Sequence, residues 1–425
     1  MKTEVGRSII YYFCLFNSQS RLKFLLVCLF VNVLKTIKKK TGSIFDLYGI
    51  EILFLWIKST DMNLLTIRLL NQQLLNPQFC RPKELVSWMG AIQAQDYTMV
   101  KWAVGMRLKS ATIQTVEKAL QKGEILRIHV MRPTWHSVVA EDIRWMLKLS
   151  AQHIKSANDS YAKGHSLDIT EEVYTKSNNL LEKILCGKKN LTKQEIAEHF
   201  ERAGLLADTY HMTRFMARAE VEGIICSGEC QGRKHTYMLL EERVPPVPEI
   251  TRDEALARLA RNYFRSHAPV VLQDFIWWSG LSISEAKQAV YLIESEMITE
   301  QWNSQTWYIH NSCRTRGKIA DSLHLLPPYD EYLLGYKDRT DVLPKEFYPK
   351  AFTNNGLFYP VLLHEGHIIG NWNKSVKKGG INLEHSFFQE NVCLEESLLS
   401  NAKDRYKQYL SFLQELWIVT PFRLH

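Results

Sequence analysis

Two glutamines stand two residues apart in the segment Gly90-Ala-Ile-Gln-Ala-Gln-Asp-Tyr97. An amide neither gains nor loses a proton near neutral pH, so Gln93 and Gln95 cannot act as a general acid or base. Fixed amide groups can instead position a water molecule and stabilise developing charge. The neighbouring Asp96 either adds a carboxylate to such a site or caps a helix. The alternative interpretation of the whole segment is a polar helix end whose amides cap backbone groups.

The helix before these glutamines has to end for both amides to serve one site. It begins at Pro82, a residue favoured in the first helical turn, and its apolar face consists of Leu85, Val86, Met89 and Ile92. Side chains two residues apart are about 200° apart around a helix but lie on the same side of an extended chain. An unbroken helix would also point Asp96 into the apolar face. We therefore expect the helix to end before Gln93.

The composition is that of a globular protein with well-filled cores. The 425 residues allow two to four domains, and 46% of them are apolar. The eight cysteines lack the dense spacing of a disulfide framework, which favours a reducing, cytoplasmic compartment. The nearest approach to a metal cluster is Cys226, Cys230 and His235. Their spacing is a weak signal and no fourth ligand is nearby, so we predict no metal and no cofactor.

The net charge of +8 is concentrated in the first 61 residues, which hold nine Lys or Arg against four acidic residues. Bulk charge is therefore a poor argument for nucleic-acid binding, and any basic surface must be local. The apolar run from Phe24 to Leu34 is shorter than the roughly 20 residues of a membrane span. We interpret residues 1–61 as a non-native or disordered extension upstream of Met62. The alternative is a weak membrane anchor or a presequence.

One pattern recurs three times after Met62: two helices, the second ending near a glycine, and then a hairpin. This is the order of a winged helix, so we expect an α+β protein. The expected domains are winged helices at 62–160, 161–247 and 248–315, a small β-barrel-like module at 316–394, and a helix with a tail at 395–425. Within the β-module, His364-Glu365-Gly366-His367 is typical of a hairpin turn.

The three copies differ at their hairpins and linkers. In the first, Met131-Arg132-Pro133 is the turn, and in the second, Gly232-Arg233-Lys234-His235 is a basic wing tip that either meets phosphate or remains solvated. In the third, the adjacent residues Trp277 and Trp278 are expected in the core rather than stacked on bases. The polar segment 155–180 and the stiff segment Val244-Pro-Pro-Val-Pro248 are expected to be linkers.

Four stretches carry a family resemblance: Gly90-Ala-Ile-Gln-Ala-Gln-Asp96, Leu126-Arg-Ile-His-Val-Met-Arg-Pro-Thr-Trp-His136, Leu325-Leu-Pro-Pro-Tyr-Asp-Glu-Tyr-Leu-Leu-Gly335, and Asn355-Gly-Leu-Phe-Tyr-Pro-Val-Leu-Leu363 with Gly370-Asn-Trp372. Together they span most of the chain, and they resemble stretches of the bacterial AlkZ-type winged-helix DNA glycosylases, where they occur in the same order. The resemblance implies three tandem winged helices and a small β-barrel around a concave DNA channel. It also implies enzymes that unhook bulky alkylation adducts and interstrand crosslinks.

The family's catalytic signature in one branch is Gln-x-Gln, so the resemblance implies that Gln93 and Gln95 are catalytic, with Asp96 as possible support. Candidates for contact with DNA or the lesion are Arg132, Thr134 and His136 in the first hairpin, and candidates for phosphate contact are Arg233 and Lys234 in the second. The first hairpin departs from the family pattern, because Pro133 stands where glycine is usual. We expect the hairpin to form with a changed turn and therefore a changed lesion pocket.

Alkylation at N7 of guanine makes the base a cationic leaving group, so little acid catalysis is needed to release it. The amides would then hold the attacking water under C1′ of the sugar. We accordingly expect a monomeric, monofunctional DNA repair glycosylase that acts on alkylated double-stranded DNA and has no membrane partner. The competing class is a non-catalytic winged-helix protein, either a transcriptional regulator or a resistance factor that shields lesions.

Overall fold

Helices and strands alternate along the chain, and the predicted mixture of the two is confirmed. The computed structural model describes residues 64–419 except 232–233, 320–321, 378–379, 391 and 393. All structural statements below concern these residues, and the extension predicted at 1–61 lies outside them. Residues 301–304 aside, the described residues form one compact unit. No helix within the described ranges is long and apolar enough to cross a membrane.

The glutamines lie at the first strand of a three-stranded sheet. Helix α1 (Leu64–Asn71) leads into α2 (Pro82–Met89), which Gly90 ends with a φ of 79°. A Cβ on Gly90 would lie 2.8 Å from the Asn262 Cβ, so only glycine fits there. Strand β1 (Ile92–Gln93) begins after Ala91. The helix therefore ends before Gln93 as expected, but Ile92, expected on its apolar face, lies in the strand. The strands are ordered β1-β3-β2, and the other elements are α3 (Tyr97–Gly105), α4 (Ile113–Gln121), β2 (Ile125–His129) and β3 (Trp135–Val139).

A second sheet, ordered β4-β6-β5, follows the long helix α5 (Ile143–Gly164). Its elements are α6 (Glu171–Leu185), β4 (Leu191–Thr192), α7 (Lys193–Arg202), α8 (Thr209–Val221), β5 (Ile225–Ser227), β6 (Thr236–Leu239) and the short α9 (Leu240–Arg243). Residues 171–180, expected in a linker, belong to α6, and residues 155–164, expected in the same linker, belong to α5. In α5 the reason is that Ile154, Asn158 and Ala162 recur at every fourth position and are buried on one helix face.

The third sheet repeats the order as β7-β9-β8. Its elements are α10 (Arg252–His267), β7 (Val270–Val271), α11 (Leu272–Ser279), α12 (Ile283–Leu292), β8 (Met297–Trp302) and β9 (Gln305–His310). Helix α11 ends at Gly280, which has a left-handed φ of 72°. Trp278 is fully buried as expected, whereas Trp277 is 38% exposed. The prediction that both tryptophans lie in the core therefore holds for Trp278 alone.

The C-terminal module is a four-stranded antiparallel sheet, ordered β10-β11-β12-β13. Its elements are β10 (Leu323–Leu326), α13 (Glu331–Leu334), α14 (Tyr348–Ala351), β11 (Val361–His364), β12 (His367–Lys377), β13 (Gly380–Phe387) and α15 (Glu396–Val419). The turn predicted at Glu365 and Gly366 joins β11 to β12, and both residues have positive φ. The sheet is a half-barrel rather than the expected barrel, because four strands are too few to close around a packed interior.

Two hydrophobic cores meet at β1. Ile92 belongs to the core that the first sheet shares with the C-terminal sheet, which also contains Trp102 and Trp372. Ala91 belongs to the core that joins the first hairpin to the third sheet and its helices, which also contains Trp278. Successive side chains of an extended chain point to opposite sides. The glutamine segment is therefore held between both cores, while the second sheet and its helices have a separate core.

Candidate active site

The backbone of the glutamine segment is fixed by pairing with the first hairpin. Gln93 lies opposite His136 in the antiparallel pair of β1 and β3. The next residue, Ala94, donates its N–H to the carbonyl of Trp135 at 2.8 Å. From the hairpin's other strand, Arg127 donates to the carbonyls of Ala94 at 2.8 Å and Gln95 at 3.3 Å. The segment between the two glutamines is thus held through both its N–H and its carbonyl groups.

Gln93 is held by two further groups from distant parts of the chain. Its N–H donates to Oε1 of Glu331 at 2.7 Å, and its side-chain Oε1 accepts a hydrogen bond from Nη2 of Arg132 at 3.0 Å. A guanidinium can only donate, so this contact determines that Gln93 presents its amide oxygen to Arg132. The side chain is 5% exposed. Gln93 therefore has one orientation, which is fixed before any ligand binds.

Glu331 is a buried carboxylate to which the sequence assigned no role. It lies at the start of α13, fully buried, and accepts hydrogen bonds from Nε1 of Trp278 at 3.1 Å and from His267 at 3.4 Å. Burial by itself would raise the pKa of Glu331, but the hydrogen bond and charge of His267, with the Gln93 N–H, keep it below the usual value. Glu331 belongs to the third family stretch, and this was the signal in the sequence that could have identified it. Its contact with Gln93 depends on tertiary structure.

Gln95 differs from Gln93 in having a free side-chain oxygen. Gln95 is half-buried, and its Oε1 is enclosed without a hydrogen-bond partner among the described residues. A buried polar atom without a partner is costly and calls for an explanation, such as a catalytic role or a bound water. The two amides thus have different surroundings: one is engaged by protein and the other is able to accept a hydrogen bond from a ligand or water.

Asp96 caps the helix that follows the glutamines. Its carboxylate accepts hydrogen bonds from the N–H groups of Thr98 and Met99, each at 2.9 Å, at the start of α3. This is a helix cap, the second of the two roles considered for it. The carboxylate is also near Tyr329, whose pKa is raised by burial and by the charge of Asp96.

The first hairpin brings Arg132, Thr134 and His136 to the site in different ways. Arg132 is half-buried and contacts Gln93, and Thr134 is half-buried with a hydroxyl that has no described partner. His136 is fully buried, and its Nδ1 lies 3.1 Å from the carbonyl of Thr134. Burial and the neighbouring Arg132 lower the pKa of His136 to about 3, so its imidazole is neutral near pH 7. In this conformation His136 does not reach the surface where DNA could touch it.

The turn of this hairpin packs against the third sheet's helices. Met131 has a φ of 63°, and its carbonyl is close to Gly280, where a Cβ would come within 2.6 Å of the oxygen. Pro133, the departure from the family pattern, is exposed. The hairpin therefore forms as expected, and the residue that takes the left-handed backbone conformation in its turn is Met131.

The second hairpin also reaches the glutamine segment. Tyr97, the first residue of α3, has its hydroxyl at Sγ of Cys230, and its ring lies 5.2 Å from that of His235. Cys226 is fully buried. No group of three metal-binding side chains occurs in the described part of the chain. Of the two predicted phosphate contacts, Lys234 is exposed at the tip, whereas Arg233 lies outside the described residues.

The chain is similar to known proteins over most of its length. The family model described as DNA glycosylase AlkZ-like matches residues 86–407. A solved structure, the DNA glycosylase AlkZ of Streptomyces sahachiroi, has a TM-score of 0.66 with this fold at 17% sequence identity, covering 81% of this chain and 95% of that one. No curated protein matches the chain. At this identity the structural likeness shows a common fold, and the family match includes both glutamines.

Proposed function

The chain belongs to the AlkZ-like DNA glycosylase family and is a DNA repair glycosylase, and from this premise we propose how its site works. The proposed reaction is hydrolysis of the N-glycosidic bond of bulky N7-alkylguanine adducts or interstrand crosslinks. The observation that carries the proposal is the contrast between Gln93, held by Arg132 and Glu331, and Gln95, whose buried Oε1 has no described partner.

The chemistry suits two amides because the substrate supplies the driving force. A guanine alkylated at N7 carries positive charge and departs without protonation, which leaves an oxocarbenium-like sugar. Catalysis then requires a positioned water and stabilisation of positive charge by oriented dipoles. The Oε1 of Gln95 accepts one hydrogen bond from the water. Gln93, held by Arg132, supports the same water on the side of C1′. The water adds to C1′ after the base departs as a neutral molecule, and the proton that it loses passes to bulk solvent.

Arg127, Glu331 and Arg132 are positioning residues in this proposal. Arg127 and Glu331 bind the backbone of the segment, and Arg132 binds the Gln93 side chain. None of them has to transfer a proton. Among the described residues, the side chains that hydrogen-bond Gln93 or the backbone of Gln95 are Arg127, Arg132 and Glu331. None of these three can form a Schiff base, and this supports a monofunctional enzyme that leaves the DNA strand intact.

We further propose that the three small sheets with their preceding helices are winged helices that bind double-stranded DNA as parts of a monomer. Two observations support this. In all three sheets the first strand lies beside the third, and in all three the chain runs through a helix, a short strand and two helices before the hairpin. The exposed Lys234 at the second hairpin would contact phosphate, as would Arg233. The concave channel stays a prediction from the family resemblance.

The test is release of free base from a duplex that contains a single N7-alkylguanine. Gln93→Ala and Gln95→Ala are each expected to slow release by about 100-fold or more, and the exposed Gln121→Ala serves as the matched control. No strand cleavage should occur without alkali. Release that survives both substitutions would contradict the proposed roles. Sequence-specific binding without release of base from any adduct would indicate a regulator instead. Binding to the lesion that neither substitution weakens, without release of base, would indicate a shielding factor.

A further inference from the structure

Trp277 presents an aromatic ring at the edge of the candidate active site. The side chain is 38% exposed, while its neighbour Trp278 is fully buried. Its indole Nε1 donates to the carbonyl of Leu334 in α13 at 3.0 Å. This hydrogen bond satisfies the polar atom of the indole and fixes the direction of the ring. The exposed part of Trp277 is therefore an apolar surface with a defined orientation.

The ring is separated from the proposed catalytic glutamine by one side chain. The guanidinium carbon of Arg132 lies 5.9 Å from the centroid of the Trp277 ring, and Nη2 of the same group is 3.0 Å from Oε1 of Gln93. Helix α13 binds both ends of this arrangement, through the carbonyl of Leu334 at the ring and through Glu331 at the Gln93 N–H. A group bound on Trp277 would consequently be held at a fixed position relative to Gln93.

A second arginine extends the aromatic surface away from the glutamines. The guanidinium carbon of Arg339 lies 5.5 Å from the Trp277 ring, 5.0 Å from Phe352 and 5.3 Å from Phe358. The two phenylalanine rings stack with their centroids 5.1 Å apart. Arg339 is buried, and its Nη2 has no hydrogen-bond partner among the described residues. Trp277 is thus the exposed ring beside this buried cation, whereas Phe352 is half-buried and Phe358 is buried.

These charges decide which aromatic group fits. With two guanidinium groups within 6 Å of the ring centroid, a third cation on Trp277 is disfavoured. An N7-alkylated guanine is itself cationic, whereas an aromatic ring carried by the alkyl substituent is neutral. We propose that Trp277 stacks on a neutral aromatic ring of the substituent at N7 and so makes the enzyme prefer adducts with such a ring. This inference rests on the proposed function.

The experiment compares three duplexes of one sequence that carry N7-methylguanine, N7-cyclohexylmethylguanine or N7-benzylguanine. The last two substituents have similar bulk and differ in aromaticity. Single-turnover base release is measured for the wild type, Trp277→Ala and Trp277→Phe, with Tyr291→Ala, an exposed aromatic residue on α12, as the control. Rates on different adducts are compared within one protein sample, so a loss of folded protein cancels from the ratio.

We expect Trp277→Ala to lower the benzyl-to-cyclohexylmethyl rate ratio by about 10-fold. Trp277→Phe should retain the ratio within about threefold because a ring remains, and Tyr291→Ala should not change it. An unchanged ratio in Trp277→Ala would overturn the proposal. So would an equal loss on all three adducts, which would make Trp277 a residue of general structural or catalytic importance.

Binding measurements distinguish a failure of this inference from a failure of the proposed function. Affinities for the three duplexes, and for an unmodified duplex with one extrahelical base, are measured for Gln95→Ala with and without Trp277→Ala. A loss confined to the benzyl duplex supports the proposal even if the wild type releases no base, in which case only the proposed function fails. A similar loss on the extrahelical base would show that Trp277 takes an unstacked base, and it would overturn the assignment to the substituent.

Discussion

The hairpins β2–β3 and β5–β6 occupy the same place in the same strand order, but their tips have different surroundings. In the first, Met131 is buried against Gly280 and Arg132 turns back to Gln93. In the second, Lys234 is exposed at the tip, while Cys230 and His235 at the base contact Tyr97. The first hairpin thus forms part of the candidate active site, whereas the tip of the second hairpin is exposed at the surface.

The difference arises from what packs on each tip rather than from the hairpins themselves. The carbonyl of Met131 is in contact with Gly280 and His153, which come from α11's end and from α5. Burying a turn requires its polar groups to find partners. His153 provides one for the Met131 carbonyl, and Gln93 provides one for the Arg132 guanidinium. The tip of the second hairpin instead exposes Gln231 and Lys234. In the proposed mechanism, one copy of a repeated unit thus orients a catalytic side chain, while another copy has an exposed tip.

Removing the link between the first hairpin and Gln93 should have the largest effect. Arg132→Ala is expected to slow base release by about 100-fold, because the Gln93 amide loses its fixed orientation. Arg132→Lys should restore little of the rate, since a lysine cannot reproduce the planar donor. Single-turnover assays measure both variants. A rate within about threefold of wild type for Arg132→Ala would show that the first hairpin has no such role.

Gly280 and Gly204 have the same left-handed φ of 72°, and replacing each of them tests how the tip of the first hairpin is packed. Gly280→Ala should slow base release by about 10-fold, because its Cβ would press on the Met131 carbonyl and shift Arg132. A Cβ on Gly204 would have no described atom within 4 Å, so Gly204→Ala should cost about 1 kcal/mol of stability through backbone strain alone. Denaturant unfolding and release assays report the two effects. Equal rates in both variants would contradict the importance of the contact.

Each hairpin contains a histidine with a lowered pKa, about 3 for His136 and about 4 for His235, mainly through burial. The folded protein keeps both neutral, while the unfolded chain takes up protons below about pH 6.5. The free energy of unfolding should therefore decrease as the pH falls below about 6.5. His136→Gln should reduce this slope by about 1.4 kcal/mol per pH unit. An unchanged slope in unfolding measured between about pH 5 and 6.5 would show that His136 is protonated when folded.

The smallest effect of a substitution is expected at the tip of the second hairpin. Lys234→Ala should weaken binding to any duplex by about threefold and lower the salt dependence of binding by about one phosphate contact. The rate of base release at saturating enzyme should stay the same, in contrast to Arg132→Ala. Affinities at several salt concentrations measure this. A loss that depends on the presence of the lesion would instead place the second hairpin at the damaged base.

Much of the local structure could be predicted from the sequence. The end of α2 before Gln93 and the hairpin turn at Glu365 and Gly366 follow from short-range rules about helix periodicity and turns. The errors came from longer-range packing. Residues 155–164 are helical because one face is buried, and Trp277 is exposed although it is adjacent to a buried tryptophan.

Local sequence is sufficient to locate most helices and hairpins and to identify two amides at the end of a helix, because those features depend on residues within a few positions of one another. The difference between the two amides comes from tertiary packing. Glu331 and Arg132, 238 and 39 residues away from Gln93 in the chain, converge on it, and Gln95 keeps a free oxygen. Contacts between such distant residues depend on how the cores pack together, which no local pattern of residues encodes.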